Sequence, residues 1–285
     1  MSDSQLHVLL TGLNIGESPR WHEGRLWFCN WGTQQVTAVD LQGKSEVMAS
    51  VPTSLPFSID WLPDGRLLVV SGPEGRLLRR EPDGSLVTHA DLHGLASGLN
   101  EIVMDGRGNC YVNGGYTNLQ PSPGAFPGLI LLVRPDGSAR QAADGINFPN
   151  GMAVTPDNRT LIAAESWGHQ LTAFDIGADG SLANRRVWAR IEGSAPDGIC
   201  IDSEGAVWYA DVPNQQCVRV RQGGEVLQTV KVGLGCFACM LGGADRKTLF
   251  IMAAEWRGFE HMLDPVKTGQ VLMVEAPAAG AGWPF

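Results

Sequence analysis

The stretch HEGRLWF at residues 22–28 decides the fold of this chain, because its pattern of a tight turn followed by an apolar strand recurs six times. The other copies are PDGRLLV (63–69), GRGNCYV (106–112), PDNRTLI (156–162), SEGAVWY (203–209) and ADRKTLF (244–250). Equivalent turn residues lie 41 to 50 positions apart. A repeat of this length, made of short strands, is typical of one propeller blade.

A second family of turns alternates with the first, at residues 41–43, 82–84, 135–137, 178–180, 222–224 and 267–269. Each repeat therefore contains two hairpins, and glycine, asparagine and aspartate supply the positive φ angles that such turns need. No long window shows the 3.6-residue apolar period of a helix. The sequence predicts an all-β, six-bladed β-propeller with four antiparallel strands per blade, in one domain spanning residues 1–285.

The last repeat supplies only three strands, at residues 237–241, 248–253 and 270–275. A closed ring needs a fourth strand in this blade, and the apolar segment 6–10 precedes the first repeat. We therefore expect the N-terminal strand to complete the last blade and join it to the first.

Composition and charge limit the classes of function. The chain has 285 residues, of which 44% are hydrophobic, and a formal net charge of −9, so it lacks the cationic surface that nucleic acid binding requires. No apolar run approaches the length of a membrane helix, and the polar N-terminus leads us to expect a cytoplasmic protein without membrane partners. The six cysteines are expected to be reduced and buried. The oligomeric state is left open.

Polar side chains recur at one position of the repeat. The strand before each turn of the first family lines the channel of a propeller, so its first residue faces the channel mouth. Counting back eight positions from the turn gives Phe57, Asn100, Asn150 and Asp197 in blades two to five, and the equivalent residue of blade one is Glu17. Four of the six blades thus bring a side-chain oxygen to one rim.

Oxygen ligands that converge from several blades suit a hard cation. Ca²⁺ binds six to eight oxygens, and Glu17 and Asp197 supply negative charge to offset it. We expect one divalent metal ion and favour calcium; Mg²⁺ and Mn²⁺ remain alternatives, and Zn²⁺ is disfavoured because the set contains no histidine or cysteine. Any one of these residues could instead cap a turn, but four at one repeat position favour the metal site.

Several segments resemble the SMP-30/gluconolactonase/LRE-like family of six-bladed propellers, across nearly the whole chain. The segments are GESPRW (16–21), LNEIVMD (99–105), FPNGMA (148–153), PDGICID (196–202) and CFAC (236–239) with the following glycine pair. The resemblance implies that Glu17, Asn150 and Asp197 bind a divalent metal. It also implies that Asn100 contacts the metal or the substrate.

One position departs from that family. Sugar-lactone members carry an arginine two residues before the asparagine that corresponds to Asn100, and this chain has Gly98 there. A polar sugar lactone is therefore a doubtful substrate. If the loops around Tyr116 and Trp167 line the mouth, they suit a bulkier or more apolar molecule, although these rings could equally pack within the blades.

We expect a metal-dependent hydrolase that opens a lactone or a similar small ester. Asp197 is the first candidate for the general base and Glu101 the second. Asn100, Glu101, Tyr116 and Trp167 are the candidate substrate contacts. A phosphotriesterase-like hydrolase and a non-catalytic calcium-binding or regulatory protein are the alternatives, and a protein-interaction propeller is disfavoured because it does not need four oxygen ligands on one rim.

Overall fold

The computed structural model describes residues 5–53, 55–115, 126–262 and 264–284, and these form six antiparallel sheets. The first sheet contains β2 (Gly16–His22), β3 (Arg25–Asn30), β4 (Gln35–Val39) and β5 (Ser45–Ser50). The second contains β6 (Phe57–Trp61), β7 (Leu67–Ser71), β8 (Arg76–Arg80) and β9 (Leu86–Asp91), and the third β10 (Ile102–Met104), β11 (Cys110–Gly115), β12 (Pro127–Val133) and β13 (Ala139–Asn147).

The fourth sheet contains β14 (Pro149–Val154), β15 (Thr160–Glu165), β16 (Gln170–Ile176) and β17 (Leu182–Arg190). The fifth contains β18 (Pro196–Asp202), β19 (Val207–Asp211), β20 (Gln216–Val220), β21 (Val226–Lys231) and a short β25 (Gly280–Ala281), and the sixth β22 (Gly235–Gly242), β23 (Thr248–Ala254), β24 (Gly269–Glu275) and β1 (His7–Leu13). Two single-turn 3-10 helices, Trp31–Thr33 and Phe259–His261, lie in connecting loops.

The sheets are the blades of a closed six-bladed propeller. The inner strands β2, β6, β10, β14, β18 and β22 form a ring in which each one contacts the inner strands of both neighbouring blades. β1 is hydrogen-bonded to β24 on the outside of the sixth blade, with His7 opposite Met273 and Thr11 opposite Gln270. The prediction of six blades closed by the N-terminal strand is confirmed.

The core lies between the blades. Apolar clusters join adjacent sheets, and the three inner strands of each blade are largely buried while the outer strand is exposed. All six cysteines are buried free thiols, as expected. The aspartates of the repeated turns accept backbone N–H bonds two residues further on, as Asp83 does from Ser85 at 2.9 Å and Asp136 from Ser138 at 2.9 Å. These bonds explain why the turn sequence recurs.

The C-terminal segment was not predicted to pair with the propeller. After β24 the chain turns across the face of the ring opposite the start of the inner strands. There Ser203 N–H donates to the Ala279 carbonyl at 2.7 Å, and β25 adds to the far end of β18. Trp283 exchanges two backbone hydrogen bonds with Val154, the last residue of β14. The segment therefore ties the sixth, fifth and fourth blades together.

Among the described residues, no helix is long and apolar enough to cross a membrane.

Closure by β1 can be tested by substitution within that strand. Leu10 packs against the core of the sixth blade, whereas Val8 in the same strand is 56% exposed. We expect Leu10→Asp to lower the free energy of unfolding by about 2–4 kcal/mol because it places a charge against the core. The matched change Val8→Asp should cost within about 0.5 kcal/mol. Urea denaturation measures both, and equal losses would contradict the closure.

Candidate active site

Three of the candidate ligands lie at the same irregularity of their inner strands. The pairing of β2 with β3 shifts register between Glu17 and Arg20. The same shift occurs after Pro149 in β14 and after Pro196 in β18, next to Asn150 and Asp197. A bulge bends a strand and redirects its side chains, and bulges are common beside active sites. The repeated bulge explains why these three side chains turn toward the channel mouth.

The glycines that follow two of these ligands are required by crowding at the channel. A Cβ atom on Gly151 would lie 2.5 Å from the Asp197 carbonyl oxygen, and one on Gly198 would lie 2.6 Å from the Ala238 Cβ. Neighbouring inner strands thus approach each other closely where the ligands converge. This close approach accounts for the Asn-Gly and Asp-Gly sequences on the inner strands.

The carboxamides form a short chain of hydrogen bonds along the rim. The Asn100 side-chain amide donates to Asn150 Oδ1 at 3.3 Å, and the Asn150 amide lies 3.4 Å from Ser166 Oγ. Asn113 Nδ2, which is fully buried, donates to the Asn150 carbonyl at 2.6 Å. In contrast, Asp197 Oδ1 is buried and has no hydrogen-bond partner. A buried carboxylate oxygen without a partner costs free energy unless a ligand satisfies it.

The two carboxylates of the set destabilise each other's charge. Burial raises the pKa of Glu17 well above its usual range, and the charges of Asp197 and Glu101 raise it further. Burial likewise raises the pKa of Asp197, with Glu101 adding to the effect, while the contact with the Asn150 amide opposes it. A cation between these carboxylates would remove both penalties.

A buried cation lies behind this acidic group. Arg20 is 2% exposed, and its Nη2 donates to the Ile102 carbonyl at 2.7 Å and to Glu101 Oε2 at 3.3 Å. Asp60 Oδ2 is 3.9 Å from Arg20 Nε and accepts from Met104 N–H at 2.8 Å. These residues fill the channel below the mouth and join the first three blades by charged contacts.

Above the carboxylates the mouth widens into a cavity of about 430 Å³. Glu17, Asn100, Asn150, Ser166 and Asp197 are the side chains with polar groups that lie at its base. The remaining lining is almost entirely apolar, with Trp31, Leu55, Pro56, Phe126, Phe148, Trp167, Val212, Phe237, Trp256, Phe259 and Met262 among its members. A concave, largely apolar pocket with a few convergent polar groups is the usual form of a small-molecule site.

The structure brings the four predicted metal ligands together at one cavity. Of the predicted substrate contacts, it places some in the cavity lining and one outside it. Trp167 lines the cavity, and a Cβ atom built on Gly98 would meet nothing within 4 Å, so the space expected there is present. Glu101 lies below the mouth on Arg20 and is not part of the cavity lining. Tyr116 lies outside the described residues.

Sequence reasoning missed three residues of the site. Arg20 is in the first motif, but its partner Glu101 is in the third blade, so no local pattern pairs them. Asn113 fixes the Asn150 backbone from a neighbouring blade. Phe148, directly before the Pro-Asn-Gly segment, adopts φ of 57° and directs its ring into the cavity. A bulky residue with positive φ is a strained exception, and only the backbone reveals it.

The residues present fit a divalent cation. Two carboxylates and two carboxamides offer hard oxygen ligands, and Asp197 Oδ1 is without another partner. No group of three His, Cys, Asp or Glu side chains that could hold a metal ion occurs in the described parts of the chain. A cation here would therefore depend on the asparagine oxygens as well as on the carboxylates.

Comparison with known proteins defines the family. The model of the SMP-30/gluconolactonase/LRE-like region matches residues 15–255, so the chain belongs to this family. Regucalcin of Xenopus laevis is 27% identical over 248 residues, covering 84% of this chain and 83% of that protein.

Two further relatives are informative. The 6-deoxy-6-sulfogluconolactonase of Pseudomonas putida is 28% identical over 163 residues, which cover 55% of this chain and 56% of the relative. The solved structure of the calcium-binding protein regucalcin from Agrobacterium tumefaciens superposes with a TM-score of 0.78 at 19% identity, covering 99% of this chain and 98% of the other. This last likeness shows that the fold is shared.

The charge repulsion at the site predicts opposite effects of one substitution. In EDTA, Asp197→Asn should raise the melting temperature, because it removes one of two buried like charges. In saturating Ca²⁺ the same change should lower it relative to the wild type, because an anionic ligand is lost. Each kcal/mol of change in the free energy of unfolding should shift the melting temperature by about 2–4 °C.

Thermal unfolding with and without metal measures these shifts. Asp144→Asn, at an exposed position of β13, is the control and should change neither melting temperature. Destabilisation of Asp197→Asn in both conditions would contradict the electrostatic interpretation.

Proposed function

We propose that the chain is a divalent-metal-dependent hydrolase that opens a lactone or a similar small carboxylic ester. The observation that carries the proposal is the buried, partnerless Asp197 Oδ1 beside Glu17 at the base of a ligand-sized cavity. Two carboxylates held together at the polar end of an apolar pocket place charge where a reacting carbonyl would lie.

The family relationship supports this chemistry. The family is named for gluconolactonase, and one of the relatives is a sugar-lactone hydrolase by name. The structural relative from Agrobacterium is described as a calcium-binding protein. Both properties agree with the residues at the mouth of this propeller.

Glu17, Asn150 and Asp197 would hold the metal, with Asn100 as the fourth ligand. Their oxygen atoms suit Ca²⁺ best, with Mg²⁺ and Mn²⁺ as alternatives. Zn²⁺ fits poorly because it prefers nitrogen and sulfur ligands. When bound, the ion supplies Lewis-acid polarisation of the substrate carbonyl and charge stabilisation of the oxyanion that develops on it.

Asp197 carries the proton transfer in this proposal. Its carboxylate accepts a proton from water as the water oxygen bonds to the carbonyl carbon. The bond between that carbon and the ring oxygen then breaks, and the same proton passes from Asp197 to the departing alkoxide. The products are a hydroxy acid and the regenerated carboxylate, so one water is consumed for each lactone opened.

Glu101 is the weaker candidate for the base. Its Oε2 accepts from Arg20, a partner that stabilises the carboxylate as an anion and keeps it below the cavity. The Arg20 charge also opposes the rise that burial causes in the pKa of Glu101. We therefore assign Glu101 a positioning role, in which it holds Arg20 behind the ligands.

Asp197→Asn should abolish lactone opening even at saturating metal, because a carboxamide can still coordinate but cannot accept the proton. The expected loss in kcat is about 10²- to 10⁴-fold. Glu101→Gln should retain activity within about tenfold, since glutamine still accepts a hydrogen bond from Arg20. Steady-state kinetics across a metal titration measures both, and full recovery of the Asp197 variant at high metal would show that Asp197 is only a ligand.

Removal of the metal should stop the reaction. Dialysis against EDTA should abolish lactone opening, and Ca²⁺ should restore it with one ion bound per chain, measured by elemental analysis and calorimetry. Activity that survives EDTA would contradict metal dependence. Binding of one calcium ion without turnover of any lactone would instead favour a non-catalytic calcium-binding protein.

A further inference from the structure

We infer that the cavity selects lactones that carry a large apolar group, aryl or long alkyl, over polyhydroxylated or anionic ones. The inference rests on the proposed function, because it concerns the substrate of the same site. It comes from the wall of the cavity rather than from the ligands at its base.

Six aromatic rings form a continuous arc around the mouth. Phe148 lies at its centre: its ring centroid is 4.9 Å from that of Phe126, 5.0 Å from Trp167 and 6.3 Å from Phe259. Trp256 continues the arc at 5.1 Å from Phe259 and 5.8 Å from Phe237. All six rings line the cavity, and they come from three blades. Such a surface binds flat or extended apolar groups by burial and ring stacking.

The arc is maintained at a cost in backbone energy. Phe148 is held at positive φ by two backbone hydrogen bonds, from its N–H to the Phe126 carbonyl at 2.7 Å and from Ser166 N–H to its own carbonyl at 3.0 Å. A non-glycine residue rarely adopts this conformation because it strains the backbone. The strain places the ring between Phe126, Trp167 and Phe259, so it directly supports the apolar wall.

Two polar groups that line the cavity already donate to backbone carbonyls. Trp31 Nε1 donates to the Phe57 carbonyl at 2.7 Å, and Ser166 Oγ donates to the Pro196 carbonyl at 2.7 Å. No lysine or arginine is among the described residues that line the cavity, whose charged members are Glu17 and Asp197. Away from the polar base, sugar hydroxyls would exchange water for a wall of mostly apolar side chains, and an anionic substituent would meet no lysine or arginine among the described lining residues.

The volume is also larger than a small lactone ring needs. A cavity of about 430 Å³ falls in the range of pockets that enclose drug-sized molecules. The ring of the lactone occupies the polar base, and the remaining space lies along the aromatic arc. The substituent on the lactone therefore contributes much of the apolar surface buried on binding.

The test is a homologous series of γ-lactones with unbranched alkyl chains of increasing length, assayed with Ca²⁺ at fixed pH beside glucono-δ-lactone. Burying one methylene should raise kcat/KM by about threefold to fourfold until the cavity is filled. The kcat/KM of the longest members should exceed that of glucono-δ-lactone by at least about 100-fold. A kcat/KM that does not change with chain length, or a preference for glucono-δ-lactone, overturns the inference while the hydrolase proposal stands.

A pair of matched variants tests whether the aromatic arc is the surface that binds the alkyl chain. Phe259 is 57% exposed and Val226, on the outer strand of the fifth blade, is 55% exposed. Phe259→Ser should reduce the gain per methylene, because it removes one ring from the arc. Val226→Ser should leave that gain unchanged. Equal gains in both variants would contradict the assignment of the arc as the binding surface.

Binding of γ-lactams, which are not opened, separates this inference from the proposed function. Calorimetry should show affinity that rises with the alkyl chain length of the lactam, even in the Asp197→Asn variant. If no lactone is opened but lactam affinity still rises with chain length, the hydrolase proposal fails. The inference that the cavity binds ligands with a large apolar group then stands. If lactam affinity does not depend on chain length, the inference that the cavity binds apolar groups is overturned.

Discussion

The pairing of β1 with β24 is the constraint on which the rest of the molecule depends. An open ring of blades would leave the sixth blade with an unpaired edge and its inner strand without a fixed neighbour. The inner strands β2 and β22 contact each other across this closure, so the position of Glu17 relative to the other blades is set by it. Candidate ligands from blades far apart in sequence can converge because the first and last parts of the chain share one sheet.

The candidate site lowers the stability of the fold locally, at one end of the channel. Glu17 and Asp197 are buried as like charges, and Phe148 adopts a strained conformation beside them. Arg20 offsets part of the charge, since it lies on the same inner strand as Glu17 and pairs with Glu101. The extensive apolar packing between the blades stabilises the fold and offsets these local losses of stability.

The repeat allowed much of the fold and part of the site to be predicted. A turn that recurs every 41 to 50 residues fixed the blade number, and counting along it reached Glu17, Asn150 and Asp197. The position of Glu101 below the cavity could not be predicted, because it depends on Arg20 from another blade. The positive φ angle of Phe148 could not be predicted either, because the amino-acid composition around it does not indicate it. The C-terminal segment has no place in the repeat, so its pairing needed the tertiary structure.

The C-terminal segment lies on the face of the ring opposite the aromatic arc. β25 and Trp283 lie across the ends of the inner strands of two blades, and Arg20 with its carboxylate partners fills the channel above them. Among the described residues, these contacts stand between the base of the cavity and the far face of the ring. Under the proposed function, a product with a large apolar group would stay packed against the aromatic arc, and its slow exit would then limit the rate of turnover.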